Sequence, residues 1–223
     1  MGVKKNSLTI SDDNEMTVVA AEFFGEHILL GADSQVGQKG LTSQARKLFQ
    51  HTSLPIAWGF AGDLGVGREF SIWLEQREWE TEPHWQTFVN EVTDALAQFN
   101  RVHRQRMRNA DAQPTEEDRT SVLIAGYLNG EPELIELTGS GERYFHREDG
   151  FSAIGSGENH FKIAKAAMSI IKGPPVEEMF WHSLAVAASL DPESGHPLYR
   201  LKITKQGVLT NDQREETPNQ EGI

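Results

Sequence analysis

The apolar residues of this chain first fall in short, nearly unbroken runs. Val18 to Phe24 and His27 to Asp33 are rich in β-branched and aromatic residues, and the short turn at Gly25 and Glu26 makes them a predicted β-hairpin. A loop is expected over Gly37–Gly40. A second strand pair follows at Lys47–Thr52 and Pro55–Ala61, with Ser53 and Leu54 at the turn. After "AGDLGVG" the period changes. Val66, Phe70, Trp73 and Leu74 recur at helical spacing and predict a helix over Val66–Glu78. Trp85, Phe88, Val92, Leu96 and Phe99 predict a longer helix over His84–Met107, followed by a polar loop over Ala110–Asp118.

The second half begins with strands again. Ser121–Leu128 and Glu133–Thr138 read as a hairpin across "NGEP", and Arg143–His146 and Phe151–Ile154 as short strands. Asn159–Ile171 and Val176–Leu190 read as amphipathic helices, the first stopped by "KGPP". Leu198–Ile203 and Gly207–Thr210 give a last hairpin. The order is strands, two helices, strands, two helices, strands. Each sheet must cover one face with helices and the other with its partner sheet, so the expected fold is α+β, a four-layer α-β-β-α sandwich. No linker-like shift in composition divides it. The expected organisation is an N-terminal extension over 1–16, one domain over 17–210 and a polar, disordered tail over 211–223.

Composition narrows the function. At 223 residues and 24.9 kDa, with 38% apolar residues, the chain can bury a substantial core. The formal net charge of −12 disfavours nucleic acid and anionic membranes as partners, and no apolar run is long enough to span a bilayer. Cysteine is absent, which excludes disulfides, thiolate metal sites and a cysteine nucleophile and fits a cytoplasmic protein. The eight histidines show no paired metal spacing, so neither a metal nor another cofactor is expected. "MGVKKNSLTISDDNE" has no apolar core of a secretory signal.

The first strand follows a threonine, Thr17, which follows Met16. A threonine hydroxyl needs an adjacent base, and its own α-amine can serve if the threonine is the first residue of the mature chain. Such a site also needs a cation near the hydroxyl, a carboxylate to hold it, and an N–H donor for the oxyanion. Candidates stand at the expected element ends: Asp33, Lys47, Gly62 in "GFAGD", Ser156 in "GSG", and Asp191 and Ser194 in "SLDPESG". Singly each has a plainer reading, as a strand end, a solvated charge, a breaker, an N-cap or a turn.

The pieces "TVVAAEF", "LLGADSQ", "RKLF", "GFAGD", "AIGSG" and "DPESG" together resemble the proteasome β-subunit and HslUV-type peptidase family of N-terminal-nucleophile hydrolases, in that family's order from Thr17 to about Ile203. The resemblance implies a threonine-type endopeptidase acting on polypeptides. It makes Thr17 the nucleophile, its freed amine the base, Asp33 and Lys47 a buried ion pair beside the hydroxyl, and the Gly62 N–H the oxyanion donor. Ser156, Asp191 and Ser194 would hydrogen-bond around the amine. Val36, Ala45, Phe60 and Leu64 would line the pocket for the side chain before the cut; they are apolar and imply a preference for apolar residues. Gly37 stands where the family usually has a substrate-contacting threonine, so only backbone contacts are expected from it. The family encloses its sites in stacked rings served by an ATP-driven unfoldase, which implies a homo-oligomeric double ring and such a partner here. A non-catalytic ring subunit and a small-molecule amidohydrolase using the same threonine are the alternatives.

The family's proteasomal branch places glycine before the threonine; this chain has Met16. Three histories fit: translation from Met16 with loss of the methionine, a propeptide removed autocatalytically or by another protease, or no removal and no free amine. The basic run Arg101–Arg108 reads as a solvated helix end or a docking surface, and Trp73, Trp85 and Trp181 as interface or core.

Overall fold

The computed structural model describes residues 17–38, 41–44, 46–110, 112–113, 119–146, 150–170, 176–191, 194–195 and 197–210. Along the chain come β1 (Val19–Phe24), β2 (His27–Asp33), β3 (Gln35–Gln38), β4 (Leu41–Gln44), β5 (Leu48–Gln50), β6 (Ile56–Ala61), α1 (Leu64–Gln76) and α2 (Trp85–Asn109). They are followed by β7 (Ser121–Leu128), β8 (Glu131–Leu137), β9 (Arg143–His146), β10 (Phe151–Ile154), α3 (Glu158–Ile170), α4 (Val176–Leu190), β11 (Leu198–Thr204) and β12 (Gly207–Thr210).

Alternation of side chains along the strands generates the layers. Val18 and Ala20 point to one face of β1, where they pack with Phe161 of α3 and with Phe180 and Leu184 of α4. Val19 and Ala21 point to the other face and meet Leu48, Ala57, Leu123 and Ala125 of the second sheet. In β6 the split repeats. Ala57 and Ala61 face the first sheet, while Trp58 and Phe60 face α1 and α2. Both faces of each sheet are therefore buried at these strands, which is why they read as continuous apolar runs rather than alternating ones. The result is an α+β sandwich of two antiparallel five-stranded sheets, ordered β10-β1-β2-β11-β12 and β5-β6-β7-β8-β9, with α3 and α4 outside the first and α1 and α2 outside the second.

The structure corrects several expectations. The loop expected over Gly37–Gly40 gives way to a hairpin of β3 and β4, in which Gln35 pairs with Gln44 and Gly37 with Thr42. Its mostly polar sequence carries no apolar alternation to mark the two strands. α1 starts at Leu64, not Val66, because the Asp63 side chain caps it by accepting the Val66 N–H at 2.8 Å. β8 begins at Glu131, which shortens the "NGEP" turn to Asn129 and Gly130, and α2 runs on to Asn109. Ile171, the expected end of the third helix, the extension over 1–16 and the tail over 211–223 lie outside the described residues.

A polar link crosses between the sheets at β10 and β8. Ser152 of β10 donates to Glu136 of β8 at 3.0 Å, and His146 of β9 lies 3.8 Å from the same carboxylate, an ion-pair distance rather than a hydrogen bond. Burial pushes the Glu136 carboxyl up, but His146, Ser152 and Lys162 outweigh it and hold it below the ordinary 4.5. A depressed folded-state pKa contributes stability that is present above the unfolded value and lost as pH falls through the folded one. The urea midpoint of the wild type should therefore fall more steeply below pH 4.5 than that of Glu136→Gln. Parallel curves would show that the link carries no pH-dependent stability.

Candidate active site

Strand register brings the predicted residues to one end of both sheets. Val19 pairs with Ala32 and with Ile154, and Asp33 pairs with Leu198, so the start of β1, the ends of β2 and β10 and the start of β11 converge. In the second sheet Leu48 pairs with Gly59, which sets Lys47 and the Ala61–Gly62 corner at the ends facing them. Val19 and Lys47 both border the Cβ position of Gly59, at 2.6 and 3.3 Å, which ties the start of β1 to the start of β5.

Thr17 immediately precedes this convergence and is 2% exposed. Its nitrogen donates to Ser156 Oγ at 3.2 Å, and its carbonyl accepts the Gly157 N–H at 3.4 Å. Ser156 Oγ in turn donates to Asp191 Oδ2, which also accepts from Ser194 Oγ at 3.0 Å. On the other side, Asp33 accepts the Val18 N–H at 3.0 Å and the Lys47 ammonium on both oxygens, at 3.2 and 3.1 Å. The ion pair is sealed: Lys47 is 1% exposed and Asp33 is fully buried. Hydrogen-bonded and paired, the two charges meet the conditions under which such burial is tolerated.

Two glycines shape the site. Gly155 has φ +94°, and a Cβ there would stand 1.9 Å from the Thr17 carbonyl oxygen and 3.2 Å from the Ala61 side chain. Gly62 has φ +105°, and a Cβ would stand 2.3 Å from the Arg119 carbonyl. Neither position admits a side chain without moving backbone. Gly155→Ala should thus lower stability by about 2–4 kcal/mol and displace Thr17, readable as a lowered Tm. An unchanged Tm would mean that the corner adapts.

Six of the seven predicted catalytic positions, Thr17, Asp33, Lys47, Ser156, Asp191 and Ser194, are linked by the contacts above, and Gly62 stands beside Ala61 at their edge. The expected pocket residues fare differently. Phe60 is 2% exposed, stacked on Phe49 on the α1–α2 side of its sheet, so it offers no open surface to a substrate side chain. Leu64 is half-buried at the start of α1, against the same cluster. Val36 and Gly37 lie on β3, and Ala45 lies outside the described residues.

Sequence reasoning does not single out Gly155 or Ser34. Ser34 is fully buried one residue after Asp33, and its N–H donates to the Gly195 carbonyl at 3.4 Å. Glycine on both sides of Ser156 is the available signal for the first; nothing in the sequence marks the second.

No protein-family model matches the chain, and comparison with curated proteins returns no match. Solved structures do match. Anbu (ancestral beta-subunit) from Yersinia bercovieri aligns over 86% of this chain and 86% of its own, with a TM-score of 0.67 and 13% identity. Eukaryotic HslV from Trypanosoma brucei aligns over 84% of this chain and 99% of its own, with a TM-score of 0.58 and 21% identity. The chain has the fold of these proteasome-type β-subunits, that of the N-terminal-nucleophile hydrolases its motifs resemble.

Proposed function

We propose that this protein is a threonine-type endopeptidase whose nucleophile is Thr17, exposed as an N-terminal residue by removal of residues 1–16. The observation that carries the reading is the buried Lys47–Asp33 pair at the strand ends beside Thr17, with Asp33 also holding the Val18 N–H. A sealed lysine charge is costly to keep, and a buried ion pair is weak evidence for stability alone, which leaves chemistry at Thr17 as a reason to retain it.

In this reading the freed Thr17 amine takes the hydroxyl proton, directly or through water, and Oγ1 attacks the scissile carbonyl carbon. The Gly62 N–H stabilises the oxyanion. The C–N bond breaks, the leaving amine takes the proton, and water then hydrolyses the Thr17 ester. Lys47 supplies positive charge near the hydroxyl, and Asp33 fixes it. Ser156, Asp191 and Ser194 form a relay around the Thr17 nitrogen, which already donates to Ser156. Substrates are polypeptides. The protein works in the cytoplasm as a homo-oligomeric double ring fed by an ATP-driven unfoldase.

A peptide epoxyketone, which needs a hydroxyl and an amine on one residue, is the test. Adduct formation on Thr17, mapped by peptide mass spectrometry, is expected. An adduct elsewhere, or none on a chain that still cleaves peptides, would overturn the reading.

A further inference from the structure

An oxyanion donor must sit at a fixed place, and glycine is the residue least able to hold its own peptide still. The Ala61–Gly62–Asp63 corner must therefore be held from both sides. On one side Ala61 is fixed by β6–β7 pairing, opposite Ser121. On the other stands Asp63, whose contacts exceed what a helix start requires. Its Oδ1 accepts the Val66 N–H at 2.8 Å and its carbonyl accepts the Gly67 N–H at 2.9 Å, the ordinary bonds of an N-cap. Two further contacts leave α1 altogether. Asp63 Oδ2 lies 3.3 Å from His103 Nε2 of α2, and the Asp63 carbonyl also accepts from the Thr120 hydroxyl at 3.1 Å.

Thr120 reaches the same corner from the segment that enters β7. It is fully buried, and its Cα stands 3.0 Å from where a Gly62 Cβ would be. Its N–H donates to Asn100 Oδ1 at 3.0 Å, and Asn100 Nδ2 donates onward to the Leu96 carbonyl at 3.0 Å. Asn100 is buried, and its amide group stands 2.9 Å from the Gly139 Cβ position, which leaves it little room to turn. Asn100 and His103 are three residues apart and share a face of α2. That face braces Thr120 and Asp63 together, and these two flank Gly62.

We infer that Asp63, His103, Asn100 and Thr120 are positioning residues that fix the Gly62 N–H for the oxyanion. The inference rests on the proposed peptidase reading and deepens it. A cap alone needs neither His103 nor Thr120. Bracing matters because the donor must meet the oxygen at its transition-state position, and a misplacement of about 1 Å is enough to cost roughly 100-fold in rate. The carboxylate beside Gly62 would oppose a developing negative charge if left bare, and here its two oxygens are engaged by the Val66 N–H and the His103 ring.

The test compares Asp63→Ala, Asp63→Asn, His103→Ala and Thr120→Val with the wild-type protein purified in active form. Three quantities are read: kcat and KM for a peptide, inhibition by a peptide boronate, and inhibition by the same peptide as a plain amide. The boronate forms a tetrahedral adduct with an oxygen at the oxyanion position; the amide forms none. Asp63→Ala should lower kcat by roughly 10- to 100-fold and leave KM within about threefold. Boronate binding should weaken by the same factor as kcat/KM, and amide binding by less than about threefold. His103→Ala and Thr120→Val should show the same split at roughly three- to tenfold. Asp63→Asn keeps the cap and a partner for His103, and should stay within about threefold of wild type. A merely structural role would lower Tm and leave the ratio of boronate to amide binding unchanged. Circular dichroism verifies folding, and Thr120→Val, which removes only a hydroxyl, carries the test if Asp63→Ala does not fold. Variants that cleave like an active wild type, or that lose boronate and amide binding equally, would overturn the inference alone. So would an Asp63→Asn as impaired as Asp63→Ala, which would assign the effect to charge. A wild type with neither cleavage nor an epoxyketone adduct on Thr17 would overturn the peptidase reading and this inference with it.

Discussion

Thr17→Ala is expected to lower kcat/KM for peptide cleavage by roughly 10⁴-fold or more, the scale seen when the nucleophile of a covalent mechanism is removed. The fold should survive, because Thr17 is tied into the structure through its backbone: its nitrogen donates to Ser156 and its carbonyl accepts from Gly157. Loss of one buried hydroxyl and methyl costs only about 1–2 kcal/mol. Thr17→Ser keeps the hydroxyl and amine and should retain measurable turnover. Steady-state assays beside thermal melts separate the two effects. Cleavage by Thr17→Ala within tenfold of wild type would remove the threonine from the mechanism.

Lys47→Met is expected to damage both stability and turnover. The side chain is 1% exposed, and its loss leaves the fully buried Asp33 carboxylate without the ammonium that contacts both its oxygens. Breaking one side of a buried pair typically costs about 3–5 kcal/mol. The companion variant decides what the charge is for. Asp33→Asn with Lys47→Met removes both charges, still offers an oxygen to the Val18 N–H, and should recover most of the lost stability. It should not recover turnover, because no cation then stands by the nucleophile. If the double variant regained activity along with stability, the ion pair would be structural only.

Much of the fold is legible because both faces of the sheets are buried. Strands such as β1, β2, β6 and β7 carry apolar residues at nearly every position, and this signal survives any uncertainty of register. The polar β3–β4 hairpin has no such signal, and its sequence reads as a loop. The residues of the candidate site are legible as a set because most of them sit where an element begins or ends, at Asp33, Lys47, Gly62 and Asp191. What joins them is not. That Asp33 accepts the Val18 N–H, or that Gly155 must lack a side chain to pass the Thr17 carbonyl, depends on distances across register that spacing along the chain does not encode. Phe60 shows the reverse failure. The family resemblance implies a pocket position for it, but alternation along β6 turns its ring toward α1 and into the core.

For Thr17 to serve as both nucleophile and base, the working protein must begin at Thr17, because an amide nitrogen cannot act as a base. Intact-mass measurement of the protein purified in active form from its native cell tests this most directly. The expected mass lacks residues 1–16 and leaves a free amine on Thr17. A fully active protein whose mass retains Met16 would contradict it.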